Sequence, residues 1–197
     1  MRIQLPQTEP KDCRIVFHGA GPAGPGWANF LLVESARRAG AAVFPPSAVL
    51  ILPLLFSRLW GKPKAVSLFG YSRGAVSAVR LSRFLAKEKI LVSLLYLIDP
   101  ILLWGTLLPL PSAVEKTFCC FQRNGARLRL LVGHFGKGVR CQEGRKAKQL
   151  LEEEEAVCFP DGRPIQHEDM VKYALEHARF RLGEALGLDP GTGAARR

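Results

Sequence analysis

Gly70-Tyr71-Ser72-Arg73-Gly74 follows a short apolar, β-compatible run that begins at Ala65, and it opens a segment with helical spacing. A strand, a sharp turn and a helix in that order make a nucleophile elbow, a strained turn that pushes a serine hydroxyl out of the end of a sheet. Gly70 and Gly74 lack Cβ atoms, so the strand and helix backbones can crowd together around Ser72. The pentapeptide by itself is also what a structural Gly-rich loop looks like, so the rest of the chain has to supply a base, an acid and an oxyanion site.

Three other places offer them. His18-Gly19-Ala20-Gly21-Pro22-Ala23-Gly24-Pro25-Gly26 is a Gly-rich turn straight after the first apolar run, and it exposes the backbone N–H groups that an oxyanion hole requires. A phosphate cradle is the poorer reading of this loop: Gly-x-Gly-x-x-Gly spacing is not met cleanly, and no Gly-Lys-Ser/Thr follows. Asp99 ends the near-continuous apolar run Ile90 to Ile98, at the edge where open α/β sheets place their ligand sites. His167 stands just before Glu168 and Asp169, which suit the positive end of a helix. His134, after the strand candidate Leu128 to Val132, is the second candidate base, and Glu152 to Glu155 and Asp161 are alternative acids.

The elements that must hold these residues read as alternating strands and helices. Cys13 to Phe17, Ala41 to Phe44, Ala65 to Phe69, Ile90 to Ile98, Leu128 to Val132 and Ala156 to Phe159 are strand candidates. Trp27 to Ala39 reads as a crossover helix with Trp27, Phe30 and Leu31 on its apolar face; Ala75, Val76, Val79, Phe84 and Leu85 mark a second helix. Val114 to Gln122 reads as a short helix carrying Cys119 and Cys120, Glu152 to Glu155 as a solvated helix face or turn, and Met170 to Leu182 as the final helix. Ala48 to Trp60 is either a helix broken at Pro53 or an apolar flap, and Ile101 to Pro111 an irregular, Pro-broken wall. The pattern predicts a three-layer α/β/α fold with a mostly parallel central sheet, as one domain over 1–186 with a tail over 187–197.

At 197 residues, 48% hydrophobic and 23% charged, the chain has globular composition. Five cysteines, two of them adjacent, fit neither a disulfide framework nor a paired zinc-ligand spacing, so no metal and no cofactor is expected. Residues Met1 to Arg14 contain Glu9, Lys11 and Asp12 and no apolar core, and the longest apolar run, Ala48 to Phe56, is too short to span a bilayer. A cytoplasmic location is the expectation. The net charge of +11 would favour an anionic membrane surface or nucleic acid. A non-catalytic basic module, binding an acidic partner through Arg123 to Lys148, is therefore the alternative class; the aromatic interleaving that single-strand binding uses is absent there.

Ser72, Asp99 and His167 occur in the chain order serine, acid, histidine. With His18-Gly19-Ala20-Gly21, Gly70 to Ala75 and Leu97-Ile98-Asp99-Pro100, the chain resembles the α/β-hydrolase superfamily, and most closely its small lipase-like members with a Gly-[Phe/Tyr]-Ser-Arg-Gly elbow. The resemblance implies Ser72 as nucleophile, His167 as base, Asp99 as its partner, and an oxyanion hole from the N–H of Arg73 with that of Ala20 or Gly21. It implies hydrolysis of a carboxylic ester through an acyl-serine; a lipid-like ester is the expectation from the apolar segments flanking the site. The chain is shorter than most members, and many of them place the acid one strand later.

Overall fold

The computed structural model describes residues 13–102, 107–127, 137–142 and 150–188. The strand candidate 128–132, His134 and most of the basic run 123–148 lie outside the described residues, as do 1–12 and 189–197. Within them the order is β1 (Cys13–Phe17), α1 (Ala28–Arg38), β2 (Ala42–Phe44), a 3-10 turn (Pro46–Leu50), α2 (Leu52–Trp60), β3 (Ala65–Tyr71), α3 (Arg73–Lys87) and β4 (Leu91–Ile98). There follow β5 (Leu107–Pro109), β6 (Val114–Phe121), β7 (Arg140–Gln142), β8 (Leu150–Glu155), a 3-10 turn (His167–Asp169), α4 (Met170–Glu176) and α5 (Leu182–Ala185).

Six strands form one sheet in the order β2-β1-β3-β4-β6-β8, every neighbouring pair parallel, and β5 and β7 form a separate parallel pair. Alternation along the central strands feeds two cores, because successive side chains point to opposite faces. Val66, Leu68, Leu95, Leu97, Cys119 and Phe121 pack with Phe56 of α2 and Leu81 and Leu85 of α3. Phe69, Tyr71, Tyr96, Ile98, Phe118 and Cys120 pack on the other face with Leu32 and Ala36 of α1, Val171 and Ala174 of α4 and Leu182 of α5. This is the expected α/β/α arrangement around a mostly parallel sheet.

Several local expectations need correction. Val114–Phe121 is a strand, not a helix: it lies between β4 and β8, and burial on both faces leaves it without the alternation that marks a one-sided strand. Glu152 to Glu155 belong to edge strand β8, not to a helix face or turn; charged side chains there protect an open edge from further pairing. Ala156 to Phe159 is not a strand; it contributes only an isolated bridge between Cys158 and Pro164. The final helix is shorter and broken, with α4 ending at Glu176 and α5 restarting at Leu182. Pro53 does not break its helix, because it occupies the first turn of α2, where its missing N–H removes no intrahelical bond.

The buried face of α1 is Asn29, Leu32, Val33 and Ala36, whereas Trp27 and Leu31 are exposed. Trp27, Phe30 and Leu31 therefore do not pack the core; all three line a cleft at the carboxyl edge of the sheet. A stripe rotated by nearly half a turn became visible only once the sheet's position was known.

Candidate active site

Ser72 follows the last residue of β3 with φ 57° and ψ −122°, a backbone state that a side-chain-bearing residue holds at a cost of about 1–3 kcal/mol. Two glycines make the turn possible. A Cβ on Gly70 would meet Gly74 O at 2.5 Å, and one on Gly74 would meet Phe17 O at 2.3 Å, so α3 leaves the elbow in direct contact with the backbones of β1 and β3. The Ser72 N–H donates to Ile98 O at 2.9 Å, which ties the turn to the end of β4.

Asp99 is the next residue after Ile98 and is fully buried. Its N–H donates to Cys120 O at 2.7 Å, and it too has a positive φ, 43°. Its Oδ1 accepts the main-chain N–H of Gln122 at 3.0 Å, and its Oδ2 accepts the Gln122 side-chain amide at 2.8 Å. The Gln122 Oε1 in turn accepts the Gly125 N–H at 2.9 Å, which fixes the amide's orientation. A Cβ on Gly138 would lie 1.9 Å from Asp99 Oδ1, so only glycine fits against the carboxylate on that side. Burial pushes the Asp99 carboxyl up from its ordinary value, while hydrogen bonds from His167 and Gln122 act in the opposite direction.

His167 opens the 3-10 turn ahead of α4. Its N–H donates to Gly125 O at 2.9 Å, its carbonyl accepts the Tyr71 hydroxyl at 2.9 Å, and its ring stacks on that of Tyr71 with centroids 4.9 Å apart. Held in this way, Nδ1 lies 2.6 Å from Asp99 Oδ2 and Nε2 lies 3.0 Å from Ser72 Oγ. An ionised carboxylate only accepts, so Nδ1 carries the proton and Nε2 presents its lone pair to the serine hydroxyl. The arrangement can draw a proton from Ser72 and return it to a leaving group.

The Gly-rich loop lies beside the serine: a Cβ on Gly19 would come within 3.2 Å of Ser72 Cβ. Its shape is set by Asn29, whose Oδ1 accepts the Gly19 N–H at 2.8 Å and whose Nδ2 donates to the carbonyls of Gly19, Gly21 and Pro22 at 3.2, 3.3 and 3.0 Å. His18 Nδ1 lies 2.7 Å from Gly19 O and braces the same loop. The N–H groups of Ala20 and Gly21 have no protein acceptor among the described residues. Arg73 is the first residue of α3, where an N–H has no intrahelical acceptor. Ala20, Gly21, Ser72, Arg73 and His167 all line one cleft of about 1190 Å³.

Most of the other candidates among the described residues are engaged elsewhere. Glu152 pairs with Lys116, Glu153 with Arg140, Glu154 with the Tyr173 hydroxyl and the Arg179 N–H, and Asp161 with the Arg163 N–H. His177 caps the C-terminus of α4 and packs its ring on Phe159 and Tyr173. Asn29, Gln122, Tyr71 and Gly138 escaped the sequence reading. Only Asn29 left a trace, as a polar residue at the head of the buried stripe Asn29-Leu32-Val33-Ala36.

Cys119, Cys141 and Glu153 also come together, with ligand atoms within 4.8 Å of one another. Glu153 there already accepts from Arg140 and from the Cys141 N–H, so the trio is accounted for as an ion pair beside two buried thiols.

No family model and no curated protein sequence matches this chain. Among solved structures it is similar to a hydrolase of the alpha/beta superfamily from Xanthomonas campestris pv. campestris, with 18% identity over 72% of this chain and 86% of the other and a TM-score of 0.36. It is also similar to Est1E from Butyrivibrio proteoclasticus, solved with ferulic acid bound, with 10% identity over 78% of this chain and 84% of the other and a TM-score of 0.40. Overlaps of that size leave the functional argument to the chain's own geometry.

Proposed function

We propose that this chain is a serine hydrolase of carboxylic esters, a short member of the α/β-hydrolase superfamily. The observation that carries the reading is a single imidazole bridging Ser72 Oγ at 3.0 Å and a buried carboxylate at 2.6 Å, with the serine on a positive-φ elbow. Ser72 Oγ attacks the ester carbonyl while His167 Nε2 takes its proton. Asp99 holds the imidazole in the required tautomer and stabilises the imidazolium. The oxyanion of the tetrahedral intermediate accepts from the N–H of Arg73 and that of Ala20 or Gly21, each donor contributing about 3 kcal/mol. Collapse expels the alcohol, which His167 protonates. Water, activated by the same imidazole, then attacks the acyl-Ser72 ester and regenerates the serine.

Apolar side chains around the cleft favour an apolar, lipid-like ester. Trp27, Phe30, Leu31, Val49 and Ile101 line it. Leu50, which also lines it, is 73% exposed, and Ile51 and Leu54 beside it are 57% and 78% exposed, an apolar rim suited to contact with an anionic membrane surface. Among the described residues no helix is long and apolar enough to cross a membrane.

Labelling with a fluorophosphonate tests the nucleophile. One adduct on Ser72, absent in Ser72→Ala, is expected, with Ser67 and Ser77 unmodified. A folded protein that hydrolyses no p-nitrophenyl ester and takes no label would refute the hydrolase reading in favour of a non-catalytic binding module.

A further inference from the structure

The wall that α3 gives to the cleft is one stripe of its surface: Arg73, Val76, Ser77 and Arg80 stand at positions i, i+3, i+4 and i+7. The two arginines are separated by seven residues, about 10 Å along the axis, and Arg80 lies about 12 Å from Ser72. Between them are the Val76 side chain and the Ser77 hydroxyl, which is already used in a bond to Pro46 O at 2.9 Å.

The charges on the two sides of the cleft differ. Near His167 the cations are matched, Arg127 with Asp169 at 2.5 Å and Lys172 with Glu176 at 4.0 Å. Arg73 and Arg80 have no carboxylate within ion-pair distance among the described residues. Two unmatched guanidiniums on one helix face repel each other, and nothing in the packing of α3 calls for them there, since its core face is Ala75, Ala78, Leu81, Ser82 and Leu85. Glu168 and Asp169 line the same cleft on the His167 side, whereas the α3 wall carries only the exposed Arg80 and the half-buried Arg73 beside apolar side chains, and an arginine there is a planar fork of donors that fits carboxylate or phosphate.

We propose that the cleft takes esters that themselves carry a negative charge, a carboxylate or a phosphate, held by Arg80 with support from Arg73, while an apolar stretch lies against Trp27, Phe30 and Leu50. The proposal rests on the hydrolase reading only in calling the bound molecule a substrate; the anion subsite stands on the arginine stripe. Charge and apolar contact are then read by one helix and one rim, so the chain selects anionic amphiphilic esters over neutral ones of equal length.

Binding to Ser72→Ala, which cannot turn the probe over, separates this idea from the chemistry. The probes are monomethyl suberate and methyl octanoate, equal in acyl length and differing in a terminal carboxylate, measured by calorimetry at low ionic strength. The charged ester should bind at least about fivefold tighter, as a partly exposed ion pair allows. The preference should fall toward unity at high salt and in Ser72→Ala/Arg80→Ala, and persist in Ser72→Ala/Lys87→Ala, which removes a charge of the same helix outside the cleft. In the otherwise wild-type chain, the kcat/KM ratio of the corresponding p-nitrophenyl esters should drop with Arg80→Ala. Equal affinity for the two probes, no binding of either, or a preference indifferent to Arg80→Ala would overturn the proposal. So would an Arg80 effect seen only when methyl octanoate is offered in phosphatidylglycerol vesicles, since the charge recognised would then belong to the surface. Arg80-dependent binding of the charged probe by a chain that hydrolyses nothing would sustain the anion subsite and refute the hydrolase.

Discussion

Replacing Asp99 with asparagine keeps the shape of the acid and removes its charge, and the surrounding donors decide how the amide must sit. Oδ1 accepts the main-chain N–H of Gln122 at 3.0 Å, and Oδ2 accepts both the Gln122 amide at 2.8 Å and His167 Nδ1 at 2.6 Å. Asparagine has one oxygen for these three donors. If the oxygen faced His167, its NH₂ would face a main-chain N–H that cannot turn away, leaving a buried donor unpaired at about 1–3 kcal/mol. If the oxygen stays with the main chain, the NH₂ faces His167, and the imidazole accommodates it by moving its proton to Nε2. The second arrangement leaves the Gln122 side-chain amide without its acceptor, but that side chain can turn whereas the main-chain N–H cannot, so it costs less; it is inactive, because Nε2 then donates toward Ser72 Oγ and cannot take its proton. A fall in kcat of about 10⁴, or roughly 5.4 kcal/mol of barrier, is expected. Stability should move the other way with pH. The folded carboxyl titrates above the ordinary 3.8, so the stabilising contribution of its proton is complete below that value and is lost as pH rises through the folded value. Asp99→Asn has no such loss, and its melting temperature relative to wild type should be more favourable at pH 7.5 than at pH 4. Ester kinetics and paired melting curves measure both effects. A folded Asp99→Asn with kcat within tenfold of wild type would refute the role assigned to the acid.

Asn29→Ala removes the acceptor of the Gly19 N–H and the donor that gathers the carbonyls of Gly19, Gly21 and Pro22. Because it acts through the oxyanion loop, kcat should fall about 10- to 100-fold with KM little changed, less than the loss of a direct oxyanion donor; a change confined to KM would assign the loop to substrate binding instead. Thiol chemistry should report the packing: of the five cysteines, only Cys158 is exposed, and burial pushes the Cys13 thiol up to about 12. Ellman titration should therefore find one reactive thiol in the folded chain and five in denaturant, and two or more reacting early would contradict the described core.

What could be read before the structure was whatever has a local cause. The elbow announces itself because only glycine tolerates the contacts at 70 and 74, and β1, β3 and β4 are runs whose burial on both faces leaves apolar sequence behind. β6 has the same cause but includes Glu115, Lys116 and Thr117, which blur the run and make it read as a helix. β8 was hidden for another reason. Three of its four glutamates are accommodated at an edge by partners far off in sequence, Lys116, Arg140 and Tyr173, and nothing local marks them as strand residues. Gln122 and Gly138 were invisible because their significance lies wholly in their distance from Asp99.

The parallel register explains why the site assembles where it does. Phe17 pairs with Gly70, Tyr71 with Ile98, and Ile98 with Cys120, so β1, β3, β4 and β6 end almost level. The first residue beyond each end is His18, Ser72, Asp99 and Gln122 in turn: a brace of the Gly-rich loop, the proposed nucleophile, the proposed acid and that carboxylate's hydrogen-bond donor. The end of β6 thus holds an amide, and that amide donates to the carboxylate one strand earlier. An acid at the end of β4 sits next to the elbow strand itself, and without Gln122 its buried charge would have His167 as its main stabilising contact. His167, the proposed base, is the one member that the sheet does not position. It depends on Gly125 O and the Tyr71 hydroxyl, so the turn at Gly125 and the loop just ahead of His167 control the reach of Nε2 to Ser72, and changes there should alter the chemistry while leaving the sheet intact.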